Sequence, residues 1–187
     1  KNFKIISKLP KLPTEISDIN LWIKEQAKSS INKLNVKSLY GLLLHHPSDL
    51  IGYNGKMLVK ALYDLKSSGL VYKIGVSIYD PKELDSIFTS MKIEIVQAPL
   101  NLLDRRIEYS GWLSKLYNKN IEFHARSVFL QGLLLMQRNQ IPLKFEKWSS
   151  IWDKWRSKID QSGFNAIELC LNYPLSLKEV NSIIIGV

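Results

Sequence analysis

Short apolar runs alternate along this chain with longer segments in which apolar residues recur every three or four positions. The first pattern has the period of a buried strand, the second that of a helix with one apolar face, and their alternation leaves few folds open. The strand-like runs are "FKIISK" (3–8), "SLYGLLLH" (38–45), "VYKIGVS" (71–77), "IEIVQAP" (93–99), "IEFHARS" (121–127) and "NSIIIGV" (181–187). Between them the spacing predicts a helix capped by Thr14 with Ile16, Ile19, Ile23, Ala27, Ile31 and Leu34 on one face. A second is predicted from about Asn54, with Met57, Leu58, Ala61, Leu62 and Leu65 on its stripe and Gly69 closing it. A third starts at Asp80 and Pro81, a fourth runs from Asp104 to about Tyr117, and two more, parted by Gly163, follow an irregular stretch over 128–145.

Six apolar strands alternating with helices argue for a parallel sheet covered by helices, which a doubly wound sheet and a (β/α)8 TIM barrel both satisfy. No G-x-G-x-x-G turn follows any of these strands, which counts against a dinucleotide-binding doubly wound fold. "IIIGV" reads as a buried strand with no helix after it, and a barrel typically needs ~250 residues against the 187 here. The expectation is one incomplete barrel domain over 1–187, of about six β/α units, cut at both ends. Its open edges are expected to invite self-association.

No apolar run approaches the ~18 residues of a membrane span, and the N-terminus lacks the pattern of a signal peptide, so a soluble cytoplasmic protein is expected. Cys170 is the only cysteine, which excludes an internal disulfide and a cysteine zinc site, and its surroundings read as a core helix. A net charge of +9 favours anionic partners in general, yet the charges are scattered, as on a solvated basic surface. Trp148, Trp152 and Trp155 interleave with lysines as a nucleobase-stacking face would, but their helical spacing equally describes a packing face.

In parallel α/β folds reactive groups collect at the C-terminal ends of the strands. Lys8 stands there on the first run, His45 and His46 on the second, Ser77 on the third, Gln97 on the fourth, Arg126 and Ser127 on the fifth and Gly186 on the last. Together they describe one polar ring. Singly each has a plainer reading: Lys8 as a snorkelling lysine, His45 as a satisfied core histidine, His46 as a surface one, Ser77 as a turn cap, Gln97 as a polar strand end. Adjacent histidines on a strand point to opposite faces, so the pair is not a metal site, and His124 inside the fifth run reads as packed.

Taken in order, these strand ends resemble the aldo/keto reductases, NAD(P)H-dependent oxidoreductases built on a (β/α)8 barrel. "IISK" is similar to the end of the family's third strand and "LLLHHP" to the fourth, which assigns catalytic roles to Lys8 and His45. "KSSGLVYKIGVSIYDPKEL" is the most specific match; Ser77 and, in "IVQAPLNLLDRR", Gln97 are then the contacts of the nicotinamide carboxamide. "HARSVFLQGLLL" resembles the seventh strand and the loop along the cofactor pyrophosphate. It places Arg126 where many members stack an aromatic ring on the nicotinamide, with Ser127, Phe129 and Gly132 on the phosphate side. "VNSIIIGV" is similar to the eighth strand, which adds Gly186 to the cofactor-binding set.

The resemblance implies hydride transfer between a nicotinamide cofactor, NADP(H) rather than NAD(H), and the carbonyl of a small aldehyde, ketone or sugar. It implies no nucleic-acid and no membrane partner. The family's tyrosine and aspartate lie at the ends of its first two strands, before the point where this sequence begins, and neither Tyr53 nor Tyr79 matches the tyrosine. The chain as given is therefore expected to be a poor catalyst, since general acid catalysis contributes ~10²–10⁴-fold. A second expectation is a member that binds nucleotide, or only other proteins, without turnover.

Overall fold

In the computed structural model, which describes residues 3–186, six parallel strands form one sheet in unbroken sequential order. They are β1 (Ile6–Leu9), β2 (Leu39–Leu44), β3 (Val71–Ser77), β4 (Ile95–Pro99), β5 (Glu122–Arg126) and β6 (Ser182–Ile183). Each strand pairs with the next in sequence, and crossovers of one hand in an unreversed order lay their helices on the same face. A doubly wound sheet would reverse at a switch point. The order seen here is that of a (β/α) barrel, of which this sheet is an incomplete part.

The helices are α1 (Ile19–Lys33), α2 (Gly55–Ser67), α3 (Glu83–Ser90), α4 (Arg106–Tyr109), α5 (Trp112–Asn118), α6 (Ser149–Ser162) and α7 (Ala166–Leu175). Asp18, not Thr14, caps α1: its carboxylate accepts from the Leu21 N–H at 2.9 Å, and Thr14 and Ile16 stay in the irregular segment that follows Pro13. On α2 the buried stripe is Leu58, Ala61, Leu62 and Leu65; Met57 falls one position off that repeat and is exposed. Gly69, at φ 76°, ends the segment in the left-handed conformation a glycine tolerates. A turn precedes α3, in which the Asp80 carboxylate accepts from Lys82 N–H and the Glu83 carboxylate from Tyr79 and Asp80 N–H, so the helix starts later than Pro81. The helix predicted over 104–117 is two, because Gly111 at φ 76° breaks the run between α4 and α5.

One core lies between the helices and the sheet. It joins Ile23 and Ala27 of α1, Leu58 and Leu62 of α2 and Leu84 of α3 to Leu42, Leu44, Ile74, Val76, Val96 and Phe123 of the strands. A smaller cluster holds Leu134, Ile141, Trp152, Trp155 and Cys170. There the indole N–H groups of Trp152 and Trp155 donate to the carbonyls of Phe145 and Leu134, both at 3.0 Å. Trp152 and Trp155 are thus packing residues while Trp148 stays exposed, and burial pushes the Cys170 thiol up to about 11, as befits a structural cysteine.

The other face of the sheet lines the barrel interior. Leu43 and Ile95 are fully buried there, outside the helix-side core. A Cβ on Gly75 would sit 2.1 Å from the Ile95 carbonyl oxygen, so only glycine lets β3 and β4 pair at that point. β6 is two residues long, not the seven the sequence suggests, because β5 leaves the sheet at Ser127 (φ 56°); Ile184 and Ile185 are correspondingly exposed.

Candidate active site

In a parallel ladder, residues in register point to the same face, so the pairing defines rows across the interior. The first row is Lys8, Leu43, Gly75, Ile95 and Glu122. Two residues further along the strands come Ser77, Gln97 and His124, with His45 just past the end of β2, and then Arg126 beside Pro99. The strand ends therefore climb in steps instead of forming a flat ring: Lys8 lies one row below His45. His124, read from sequence as packed, stands in the same row as Ser77 and Gln97.

Three side-chain polar atoms are buried without a hydrogen-bond partner among the described residues: Ser77 Oγ, His124 Nδ1 and Arg126 Nε. All belong to this face and to these upper rows. Buried polar groups are nearly always paired, so three orphans in one place mark a surface shaped for something else. Gln97, 4% exposed, lies between two of them.

The charged groups at these strand ends, Lys8 and Arg126, are both cations. Burial, helped by Arg126, holds the Lys8 ammonium below its usual 10.5. Burial, with Lys8, His46 and Arg126 adding to it, holds the His45 imidazole below 6.5, which leaves the ring neutral at neutral pH. His45 is half-buried and His46 exposed, with their rings edge to face at 5.1 Å. Arg126 is fixed from two sides: its Nη2 donates to the Ile78 carbonyl at 2.8 Å, and its guanidinium lies over the Tyr79 ring at 4.2 Å. The sequence reading considered Tyr79 only as a proton donor and missed this platform.

At the other end of the same face the charges are paired. The Lys73 ammonium donates to Glu122 at 2.7 Å, the Tyr40 hydroxyl donates to the same carboxylate, and His124 Nε2 lies 3.2 Å from its second oxygen. Burial alone would raise the Glu122 pKa, but the hydrogen bonds from Lys73 and Tyr40 overcome it and hold the carboxyl down at about 2.

After β5 the chain enters a loop in which Ser127, Leu130, Gln131 and Gly132 all have positive φ, at 56°, 48°, 55° and 87°. Three of these are not glycine, so the loop is strained and must be held. Asn101, fully buried, holds it: its amide donates to the Ser127 carbonyl at 3.0 Å while its carbonyl oxygen accepts from Leu103 and Asp104 N–H. Asn101 was not singled out from sequence; the signal available was an Asx turn in "NLLD". With Arg126, Ser127, Phe129, Gly132 and Gly186 on its walls, the loop borders an open cleft of ≈ 380 Å³. Five of the residues nominated as cofactor contacts thus line one cleft, and Ser77 and Gln97 lie on the strands beside it.

Among the described residues no cluster of three or more His, Cys, Asp or Glu side chains is placed to hold a metal ion, and no helix is long and apolar enough to cross a membrane. A comparison with curated proteins finds no match. Among solved structures, aldo-keto reductase AKR11C1 from Bacillus halodurans superposes in its apo form with a TM-score of 0.74 at 19% identity. That match covers 98% of this chain and 60% of the other. The holo form of the same enzyme gives 0.73 at 19%, covering 96% and 61%. Glycerol dehydrogenase AKR11B4 from Gluconobacter oxydans gives 0.68 at 20%, covering 90% and 56%. These likenesses establish the fold, and the chain spans about 60% of the length of the first of these structures. The model of the aldo/keto reductase family matches residues 1–187, and the chain belongs to that family.

Proposed function

We propose that this chain forms the nicotinamide-binding and carbonyl-binding side of an NAD(P)H-dependent oxidoreductase acting on a small aldehyde, ketone or sugar. The observation that carries the reading is the grouping of the orphaned polar atoms with Gln97 in the upper rows of the barrel interior, beside the strained loop. The residues present fit a nicotinamide nucleotide. A carboxamide has one acceptor and two donor hydrogens, and the Ser77 hydroxyl and Gln97 amide can answer both kinds of group. The left-handed backbone at Ser127 and Gly132, with the Arg126 cation beside it, suits a pyrophosphate. When bound, the reduced nicotinamide supplies a hydride to the carbonyl carbon.

The chain's own residues then act on the oxygen. His45, neutral, donates a hydrogen bond that orients the carbonyl, and Lys8 places positive charge where alkoxide charge develops. NADP(H) is favoured over NAD(H) by the net charge of +9, which suits an additional phosphate.

A second reading, nucleotide binding without turnover, is favoured by the tyrosines. The hydroxyls of Tyr40 and Tyr173 are bonded to Glu122 and Glu108, the Tyr63 hydroxyl accepts from Lys92, and Tyr53 and Tyr79 are exposed. No described tyrosine hydroxyl is hydrogen-bonded to Lys8 or His45. The test is NADPH consumption with a panel of aldehydes, run beside NADPH binding. Turnover supports the first reading, binding without turnover the second, and the absence of both binding and turnover removes both.

A further inference from the structure

We infer that His124 is a positioning residue for Gln97: its open Nδ1 takes the NH2 end of the Gln97 amide and so turns the Gln97 carbonyl oxygen toward the nicotinamide carboxamide. The inference rests on the proposed nicotinamide site. It goes beyond that proposal by tying the site to the carboxylate cluster at the other end of the barrel interior.

His124 is 3% exposed and stands in register with Gln97, which stands in register with Ser77. Burial, against the pull of Glu122, holds the His124 imidazole below its usual 6.5, so at neutral pH the ring is neutral and carries one N–H. Its Nε2 lies 3.2 Å from a Glu122 oxygen, and an ionised carboxylate can only accept. The hydrogen therefore sits on Nε2, and Nδ1 is left as a bare acceptor. That nitrogen is buried without a partner, a state that costs stability until a donor reaches it. Arg126 Nε, two residues further along β5, is not free to turn, because the guanidinium is fastened to the Ile78 carbonyl at 2.8 Å and lies over the Tyr79 ring at 4.2 Å. Ser77 is two strands away, roughly 10 Å at the usual strand spacing and out of hydrogen-bond reach. Gln97 is on the adjacent strand, and its amide forms no side-chain hydrogen bond among the described residues.

The two ends of a primary amide have nearly the same shape and opposite hydrogen-bonding character, so its neighbours decide which way it faces. The Ser77 hydroxyl can donate or accept and sets no preference. His124 Nδ1 accepts only, and so selects the NH2 end of Gln97. The Gln97 oxygen is then turned to the site, where it accepts from the NH2 of the cofactor carboxamide while Ser77 donates to the carboxamide oxygen. With Gln97 reversed, its oxygen would face the Nδ1 lone pair and two N–H groups would face the carboxamide NH2. In the free chain His124 and Gln97 are adjacent and not bonded, so the contact forms as the carboxamide seats. It completes one line of hydrogen bonds from Glu122 through His124 and Gln97 to the cofactor, in which each bond polarises the next.

Two replacements divide the ring between its nitrogens. His124→Asn puts an amide oxygen where Nδ1 stands and gives up the bond to Glu122, whereas His124→Gln puts an amide nitrogen where Nε2 stands and keeps that bond. The test measures NADPH dissociation constants by nicotinamide fluorescence, beside thermal unfolding, on the full chain. His124→Gln is expected to weaken NADPH binding about fivefold with little change in melting temperature, and His124→Asn to hold affinity within about twofold while melting lower. A histidine that only supports the fold would give the opposite order of affinities; that order, or equal affinities, overturns the inference. In a Gln97→Ala background His124→Gln should cost no further affinity, and an undiminished loss there overturns it as well. If neither variant folds, the 15N spectrum of wild type decides, with His124 assigned by elimination through His45→Gln and His46→Gln. Its Nδ1 is expected to be unprotonated and to shift when NADPH is added; a protonated Nδ1, or one that does not move, overturns the inference. Failure of wild type to bind NADPH overturns the nicotinamide reading itself, whereas binding with the order of the two variants reversed overturns only the role of His124.

Discussion

The two ends of the barrel's inner face are built from the same kinds of residue and treat them in opposite ways. At the N-terminal end Lys73, Tyr40 and His124 converge on Glu122, and the carboxylate is answered from three directions. At the C-terminal end the like charges of Lys8 and Arg126 oppose one another and disfavour a charge on His45, and Ser77 Oγ and Arg126 Nε find no partner. A satisfied polar cluster stabilises the fold, while an unsatisfied one costs stability and persists where a ligand completes it. His124 belongs to both ends, with Nε2 turned to Glu122 and Nδ1 left open.

If that contrast is real, substitutions at the two ends must separate stability from function. The largest effect is expected at the mouth: His45→Ala lowers kcat by ~10²-fold, the loss of an oxygen-polarising hydrogen bond, with the melting temperature nearly unchanged. Steady-state kinetics beside thermal unfolding checks it, and loss of fold in place of activity would erase the distinction. Glu122→Ala is expected to do the reverse, removing roughly 2 kcal/mol of stability by leaving Lys73 unpaired in a partly buried site.

The same carboxylate sets an acid limit. Its folded pKa of about 2 lies below the ordinary 4.5, so its stabilisation is complete above 4.5 and is lost as pH falls from there toward 2. In Glu122→Gln, chemical unfolding followed over that range should lose much of its slope. Asn101→Ala releases the strained loop from its anchor, and cofactor affinity is expected to fall by about tenfold while the Lys73–Glu122 end is untouched. The smallest effect, and the sharpest, is Ser77→Ala. Removing a buried hydroxyl that has no partner should leave the free protein as stable or stabler by about 1 kcal/mol, yet weaken cofactor binding by roughly threefold. A stability loss there would mean the hydroxyl is already satisfied.

The sequence made the strands legible because each is a short apolar run bounded by polar or glycine-rich breaks, and β3 came out over the same seven residues that the pattern marked. Helix ends were harder. Asp18 and Thr14 are both good caps, and only the chain's course after Pro13 decides between them. Gly111 split a helix that its neighbours favoured, and "IIIGV" was apolar enough to suggest a strand whose partner had already turned away. For the proposed site, strand ends nominate Lys8, His45, Ser77, Gln97 and Arg126, since each carries a polar group where an apolar run stops. The sequence could not show the step between Lys8 and His45, which comes from register, nor Asn101, whose role appears only when two loops meet. The Glu122 network was invisible for the same reason, as Tyr40 and Glu122 lie 82 residues apart.

The central claim is that the unsatisfied end is a nicotinamide site, and fluorescence titration of NADPH with the full chain tests it most directly. The expected result is a saturable change in the nicotinamide emission that the oxidised cofactor competes away. It should weaken in Gln97→Ala, but persist in a Lys73→Met variant that folds. A flat titration, or binding that the Gln97 substitution leaves unchanged, would contradict it.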